Sequence, residues 1–150
     1  MHNFTLIIPT HNRHNYLHRS IKYFKDLDAT IIYCDSSTAH YEGNLSDNMQ
    51  YLHLPDRGFA DKVLIAIGGI ETPIVALCAD DDFIVLDSLY KGYNILKTST
   101  KFNTVLGKNI SFHKNFDEFF YGDGLEVPKD INYNSYLNAS MFFTNYDQVL

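Results

Sequence analysis

The chain has 150 residues, 45% of them hydrophobic and 20% charged, with a formal net charge of −6. That balance suits one globular domain with a real core and excludes a disordered chain. The negative charge argues against a protein that coats nucleic acid, which normally carries a basic footprint, but leaves room for a local basic pocket. No signal peptide is expected at Met1-His2-Asn3-Phe4, and no apolar run approaches the ~20 residues that span a bilayer. The expected location is therefore the cytoplasm, which leaves peripheral contact with the inner face of a membrane open. Cys34 and Cys78 each lie inside an apolar run and read as buried free thiols.

Phe4 to Ile8, closed by Pro9-Thr10, is a β-branched run that predicts a buried strand. Leu17, Ile21 and Phe24 recur at helical spacing, so a helix is expected from about His14 to Leu27. Arg13, Arg19, Lys22 and Lys25 are expected on its solvated face. Ala29 to Cys34 predicts a second strand, ending at Asp35-Ser36-Ser37, and Met49 to Leu54 a third, stopped by Pro55. Ala60, Val63, Leu64 and Ile67 predict a second helix, ended by Gly68-Gly69. Thr72 to Cys78, the most apolar strand, runs into Asp80-Asp81-Asp82. A third helix, capped by Asp87 or Ser88, is expected to reach about Lys97. Phe102 to Phe112 reads as a further strand or hairpin, and the aromatic-rich stretch from Phe116 to Leu150 is irregular. This alternation predicts an α/β domain with a mostly parallel sheet.

Ligands of such sheets bind at the carboxyl ends of the strands. Three polar clusters fall there: Pro9 to Arg13, Asp35 to Ser37, and Asp80 to Asp82. Three adjacent carboxylates after a buried strand repel one another, and a divalent cation would relieve them. Oxygen ligands favour Mg²⁺ or Mn²⁺. A solvated acidic turn explains the triplet equally well. Pro9-Thr10-His11-Asn12-Arg13 opens a helix, where free N–H groups and Arg13 could hold an anion; a plain helix start explains it too. Asp35 has the chemistry to accept from a nucleobase N–H or a ribose hydroxyl, although a turn aspartate is the simpler reading of it alone. His11, His14 and His18 lack a matching thiol or carboxylate for zinc. The glycine patterns of dinucleotide and P-loop sites are missing.

Taken in order, these clusters resemble the family 2 glycosyltransferases. Phe4-Thr5-Leu6-Ile7-Ile8-Pro9-Thr10-His11-Asn12-Arg13 is similar to the family's first strand and P-x-[F/Y/H]-N-R motif. Ile31 to Ser37 supplies the aspartate after the second strand, and Val75 to Ile84 the acidic motif after the fourth. Arg57-Gly58-Phe59 stands near the family's N-x-G segment, with Asp56 in place of the usual Asn.

The resemblance implies a GT-A-like (Rossmann-like) three-layer α/β/α domain. Residues 1–100 would form the nucleotide-sugar-binding half, and 101–150 the start of an acceptor-side region. It implies transfer of a sugar from a nucleoside-diphosphate donor to a glycan or lipid-linked acceptor, assisted by Mn²⁺ or Mg²⁺. Pro9, Thr10, Asn12 and Arg13 would cradle the nucleotide and Asp35 would contact the base. Lys62 would stand in for a missing arginine at the phosphates, with Asp80 on the ribose side and Asp81 also against the nucleotide sugar. Asp82, with Asp80, would hold the metal. No catalytic base stands in a recognisable motif, although Asp117, Glu118, Asp123 and Glu126 lie in the right half. The chain is short for the family and reads as its amino-terminal part. The competing readings are a non-catalytic nucleotide-sugar- or glycan-binding module and a nucleotidyltransferase of similar fold. The latter lacks its glycine-rich G-x-G-x-R segment.

Overall fold

The computed structural model describes residues 4–107, 110–112, 119–121 and 142–145. Strand β1 (Thr5–Thr10) leads into helix α1 (His14–Phe24), then β2 (Thr30–Asp35), β3 (Met49–His53), α2 (Phe59–Gly68), β4 (Ile74–Leu77) and α3 (Leu86–Thr98). Short strands follow: β5 (Thr104–Leu106), β6 (Ile110–Phe112), β7 (Phe119–Tyr121) and β8 (Phe142–Asn145).

Six strands form one sheet in the order β3-β2-β1-β4-β8-β5. The first four run parallel, and β8 is antiparallel to both of its neighbours. β1 thus lies at the centre, with β2 and β4 beside it. Alternate residues of each strand point to opposite faces. Leu6, Ile8, Ile31, Tyr33 and Ala76 pack with Leu17, Ile21 and Phe24 of α1 and Leu89, Tyr93 and Leu96 of α3. Ile7, Ile32, Cys34 and Val75 face the other way, onto Ala66, Val63 and Ile67 of α2. Apolar residues on both faces are what a sheet covered by helices on both sides requires. The result is a three-layer α/β/α domain, as expected. Cys34 and Cys78 are both buried free thiols, in different clusters, and burial raises both above the usual thiol range, Cys34 to about 11.

Three local expectations need correction. α1 ends at Phe24 rather than Leu27, because a turn at Leu27 bonds back to Phe24 and feeds the chain into β2. α3 starts at Leu86 with Val85 as its N-cap and no capping side chain, so neither Asp87 nor Ser88 caps it. Burial of Ile84 and Leu89 on either side of that start governs where the helix begins, overriding capping preference. Phe102 to Phe112 is neither one strand nor a hairpin: β5 joins the main sheet through β8, while β6 pairs with β7 in a separate two-stranded sheet. Such distant pairings leave no periodic trace in the strand itself.

The loop between β2 and β3 is shaped by Gly43. A Cβ there would collide with the Tyr41 hydroxyl, which also bonds His18 Nδ1 at 3.0 Å. Gly43→Ala must displace that ring. Gly43 is exposed and the ring is the movable end of a half-exposed side chain, so the expected loss of unfolding free energy is under about 1 kcal/mol, read as a small drop in urea midpoint at unchanged slope.

Candidate functional site

The carboxyl ends of β1, β2 and β4 bring the predicted clusters together. β1 and β2 are in register up to Thr10 and Asp35, so the segment after Pro9 and Thr10 runs beside Asp35-Ser36-Ser37. β4 lies on the other side of β1 and delivers Asp80, which is fully buried. Thr10 Oγ1 donates to Asp80 Oδ2 at 2.6 Å, joining the first and third clusters.

Arg13 reaches the acidic triplet. Its Nη1 donates to Asp81 Oδ2 at 2.8 Å, and its Nη2 lies 2.8 Å from Asp80 Oδ1. The second contact is an ion pair without alignment, for no donor hydrogen is directed at Asp80 Oδ1. Arg13 thus serves Asp80 and Asp81 rather than Asp82. α1 opens with no capping side chain and no acidic residue in its first turn, so the positive end of its dipole also faces this edge.

Asp35 is fully buried and saturated. Its Oδ1 accepts from the Ser37 amide at 2.7 Å and from the Ser37 hydroxyl. Its Oδ2 accepts from the Tyr51 hydroxyl at 2.7 Å and lies 3.2 Å from His14 Nε2. Burial alone would raise this carboxyl, but the bonds from Ser37, Tyr51 and His14 outweigh it and hold Asp35 below the usual aspartate range. Burial, and then the bond to Asp35, raise the Tyr51 phenol.

Lys62 is 4% exposed. Its Nζ donates to the Thr10 carbonyl at 2.6 Å and to Ser36 Oγ at 3.1 Å, tying the ends of β1 and β2 together from α2. Burial lowers its affinity for a proton, which nearby Cys34, Asp35 and Asp80 partly restore. It underlies the Thr10–Ser36 seam rather than standing in the open.

Several participants were not singled out from the sequence. Arg19, expected on the solvated face, instead donates from Nη2 to the Asp80 carbonyl at 3.3 Å. Its guanidinium stacks over Tyr16 and Phe83, at 4.8 and 4.5 Å from the ring centroids. Tyr23 donates to the Ile84 carbonyl at 2.8 Å. The Tyr16-Arg19-Tyr23 spacing puts all three on one helix face, and that face grips the acidic loop. Tyr51 and His53 of β3 and His40 of the preceding loop form a ring cluster, with centroids 4.9 to 6.2 Å apart. Nothing in the spacing of these residues announces Tyr51 as a partner of Asp35; only the parallel β2–β3 register does. His11, His14 and His18 take separate partners in Ser36, Asp35 and Tyr41.

The acidic triplet suits a hard divalent cation in its chemistry. Its donors are all oxygen, and Asp80 Oδ1 is buried without a directed donor. Asp82 is exposed; partial desolvation, then the like charges of Asp81 and Asp80, raise its carboxyl, while Arg19 pulls it down. Among the described residues, no three carboxylates, histidines or cysteines form a ready-made metal group. A cation that keeps water and takes ligands from a diphosphate does not need one. Asp117, Glu118, Asp123 and Glu126 lie outside the described residues. A groove of about 760 Å³ opens around the amino ends of β1, β2 and β4, lined by Thr5, Thr30, Glu71, Thr72 and Lys97, and includes none of these clusters.

No family model matches the chain, and no curated protein does. Solved structures do. A mannosyltransferase from Pyrobaculum calidifontis, PcManGT, in complex with GDP-Man and Mn²⁺, superposes with a TM-score of 0.57 over 74% of this chain, at 16% identity. S. aureus TarS, residues 1–349, gives 0.56 over 86% at 18% identity. A second TarS structure gives 0.52 over 87% at 16% identity. The fold is of the GT-A glycosyltransferase type. At this identity the likeness is one of fold. The chain spans 36%, 39% and 24% of the length of those three chains. No described helix is long and apolar enough to cross a membrane.

Proposed function

We propose that the chain is the nucleotide-sugar-binding part of a glycosyltransferase, which moves a sugar from a nucleoside-diphosphate donor to a glycan or lipid-linked acceptor. One observation carries the reading. Arg13, Thr10, Asp35, Lys62, Asp80 and Asp81 converge on the carboxyl edge of the parallel β2-β1-β4 strands, where α/β sheets take their ligands. The GT-A fold supports it, since one neighbour was solved with GDP-Man and Mn²⁺.

In this reading Pro9, Thr10 and Asn12 shape the nucleotide cradle. Arg13 and the uncapped start of α1 meet the diphosphate. Asp80 and Asp81 face the ribose side. Asp82 and Asp80 hold Mn²⁺ or Mg²⁺, which when bound neutralises the departing diphosphate. Lys62 contributes positive charge from beneath Thr10. Residues 1–100 form the donor half and 101–150 begin the acceptor side.

Thermal unfolding with a panel of nucleotide sugars, GDP-mannose and UDP-sugars among them, with and without Mn²⁺, tests this. A ligand that binds only the folded chain raises the unfolding temperature. Stabilisation that depends on both nucleotide and metal is expected. A flat response across the panel would reject a donor site.

A further inference from the structure

Among the described residues, Arg13, Arg19 and Lys62 stand around the acidic loop, and they are held in different ways. Lys62 is buried, its Nζ fixed by the Thr10 carbonyl and Ser36 Oγ. The Arg19 guanidinium lies against Tyr16 and Phe83 and donates to the Asp80 carbonyl. Arg13 has a side chain that is 43% exposed, and it meets the loop through the carboxylates of Asp80 and Asp81, each at 2.8 Å. Its backbone is held independently. The Arg13 carbonyl accepts from the amides of Tyr16 and Leu17 at 2.9 and 3.1 Å as the first turn of α1 closes. The guanidinium can therefore swing away with no change in the main chain.

The grip of Arg13 on Asp80 is imperfect. Asp80 is fully buried, and its Oδ2 accepts from Thr10 Oγ1 at 2.6 Å. Its Oδ1 has the Arg13 charge beside it but no hydrogen aimed at it. A metal ion satisfies such an oxygen better than a misaligned guanidinium, because it needs only the lone pair and no hydrogen. The Asp81 contact is half-exposed on both sides, and ion pairs of that kind are weak in water. Arg13 thus neutralises the loop as a cation that a better one can displace. A diphosphate gives the displaced guanidinium a stronger, two-pronged partner beside the uncapped start of α1.

We infer that Arg13 is the resident cation of the acidic loop in the ligand-free chain and is exchanged on donor binding: it leaves Asp80 and Asp81 for the diphosphate, and the divalent cation takes the oxygen it vacates. The consequence is coupling. Metal alone has to expel an arginine that has no anion to receive it, and so binds weakly. With nucleotide present, the arginine moves to a better partner. Linkage makes the effect mutual, so metal strengthens nucleotide binding by the same factor. This deepens the nucleotide-site reading and rests on it, but its first test uses the metal alone.

The experiment is calorimetric titration of Mn²⁺ into the nucleotide-free chain, comparing the native protein with Arg13→Gln and Lys22→Gln. Lys22 is exposed in the last turn of the same helix, so its loss changes the net charge equally without touching the loop. Arg13→Gln keeps the carbonyl that closes α1 and is expected to fold, which a thermal melt checks; Arg13→Met replaces it should it not. Arg13→Gln is expected to bind Mn²⁺ alone about tenfold more tightly than the native chain, the effect of removing a unit charge beside the metal's oxygens. Lys22→Gln is expected to stay within about twofold, because salt screens a charge at that distance. Unchanged or weaker Mn²⁺ binding in Arg13→Gln, or an equal gain in Lys22→Gln, would overturn the exchange.

The second readout is titration of GDP without metal and with saturating Mn²⁺. The strengthening by Mn²⁺ is expected to be about tenfold smaller in Arg13→Gln than in the native chain, since no arginine has to be moved. Equal strengthening in the two would overturn the coupling. Binding of neither GDP nor UDP to the native chain with Mn²⁺ present would defeat the donor-site reading, while the Mn²⁺ titration still decides whether Arg13 holds the metal's place.

Discussion

Asp35→Ala is expected to remove about 3–5 kcal/mol of folding stability, against the roughly 1 kcal/mol of an average substitution. The side chain is fully buried, and its loss strands four donors from Ser37, Tyr51 and His14. Each bond to a buried charge is worth about 1.5–3 kcal/mol, and the four are not additive because they share one acceptor group. The pH dependence follows from the sign of the shift. Asp35 lies below its ordinary value of 3.8 in the folded chain. Its contribution is therefore full above that value and is lost as pH falls through the lower folded value. Urea unfolding at neutral pH should show the full loss in Asp35→Ala, and the gap from the native chain should narrow in acid below the ordinary aspartate value. A loss under about 1 kcal/mol at neutral pH would mean that the four bonds contribute little.

Asp82→Asn is expected to weaken Mn²⁺-dependent binding of a nucleoside diphosphate by about tenfold or more, since a charged oxygen ligand is lost. Folding stability should hold or rise. Arg13 pairs with Asp80 and Asp81, which leaves the exposed Asp82 to the influence of Arg19, with partial desolvation and two like charges acting against its ionised form. The amide relieves that repulsion without changing size. Titration of GDP with and without Mn²⁺, alongside a thermal melt, separates the two effects. Metal-dependent affinity equal to the native chain would remove Asp82 from the ligand set and leave Asp80, with its undirected Oδ1, as the remaining candidate.

The layout of the donor half was legible because its elements are local and strongly patterned. β1, β2 and β4 are short β-branched runs, buried on both faces, and α1 carries its apolar residues at helical spacing. Right-handed crossovers through helices then leave few ways to order them. Each polar cluster follows a strand, so its place at the carboxyl edge followed as well. The strands beyond α3 were not legible, because β5 depends on β8, more than thirty residues away.

Sequence alone determined the α/β alternation and the three clusters at strand ends, through periodicity; the strand order with β1 between β2 and β4 came from the fold. Tertiary structure alone decided how those clusters are used. It turned Arg19 from a presumed solvent-facing charge into a clamp on the acidic loop. It placed Lys62 beneath Thr10, and it gave Asp35 two of its four donors, from β3 and α1. The physical reason is one of range. Hydrophobic periodicity is a local property of a segment, whereas the partner of a buried charge is set by register and packing between segments distant in sequence. A carboxylate in the sequence shows that a charge must be satisfied; only the folded chain shows by which groups.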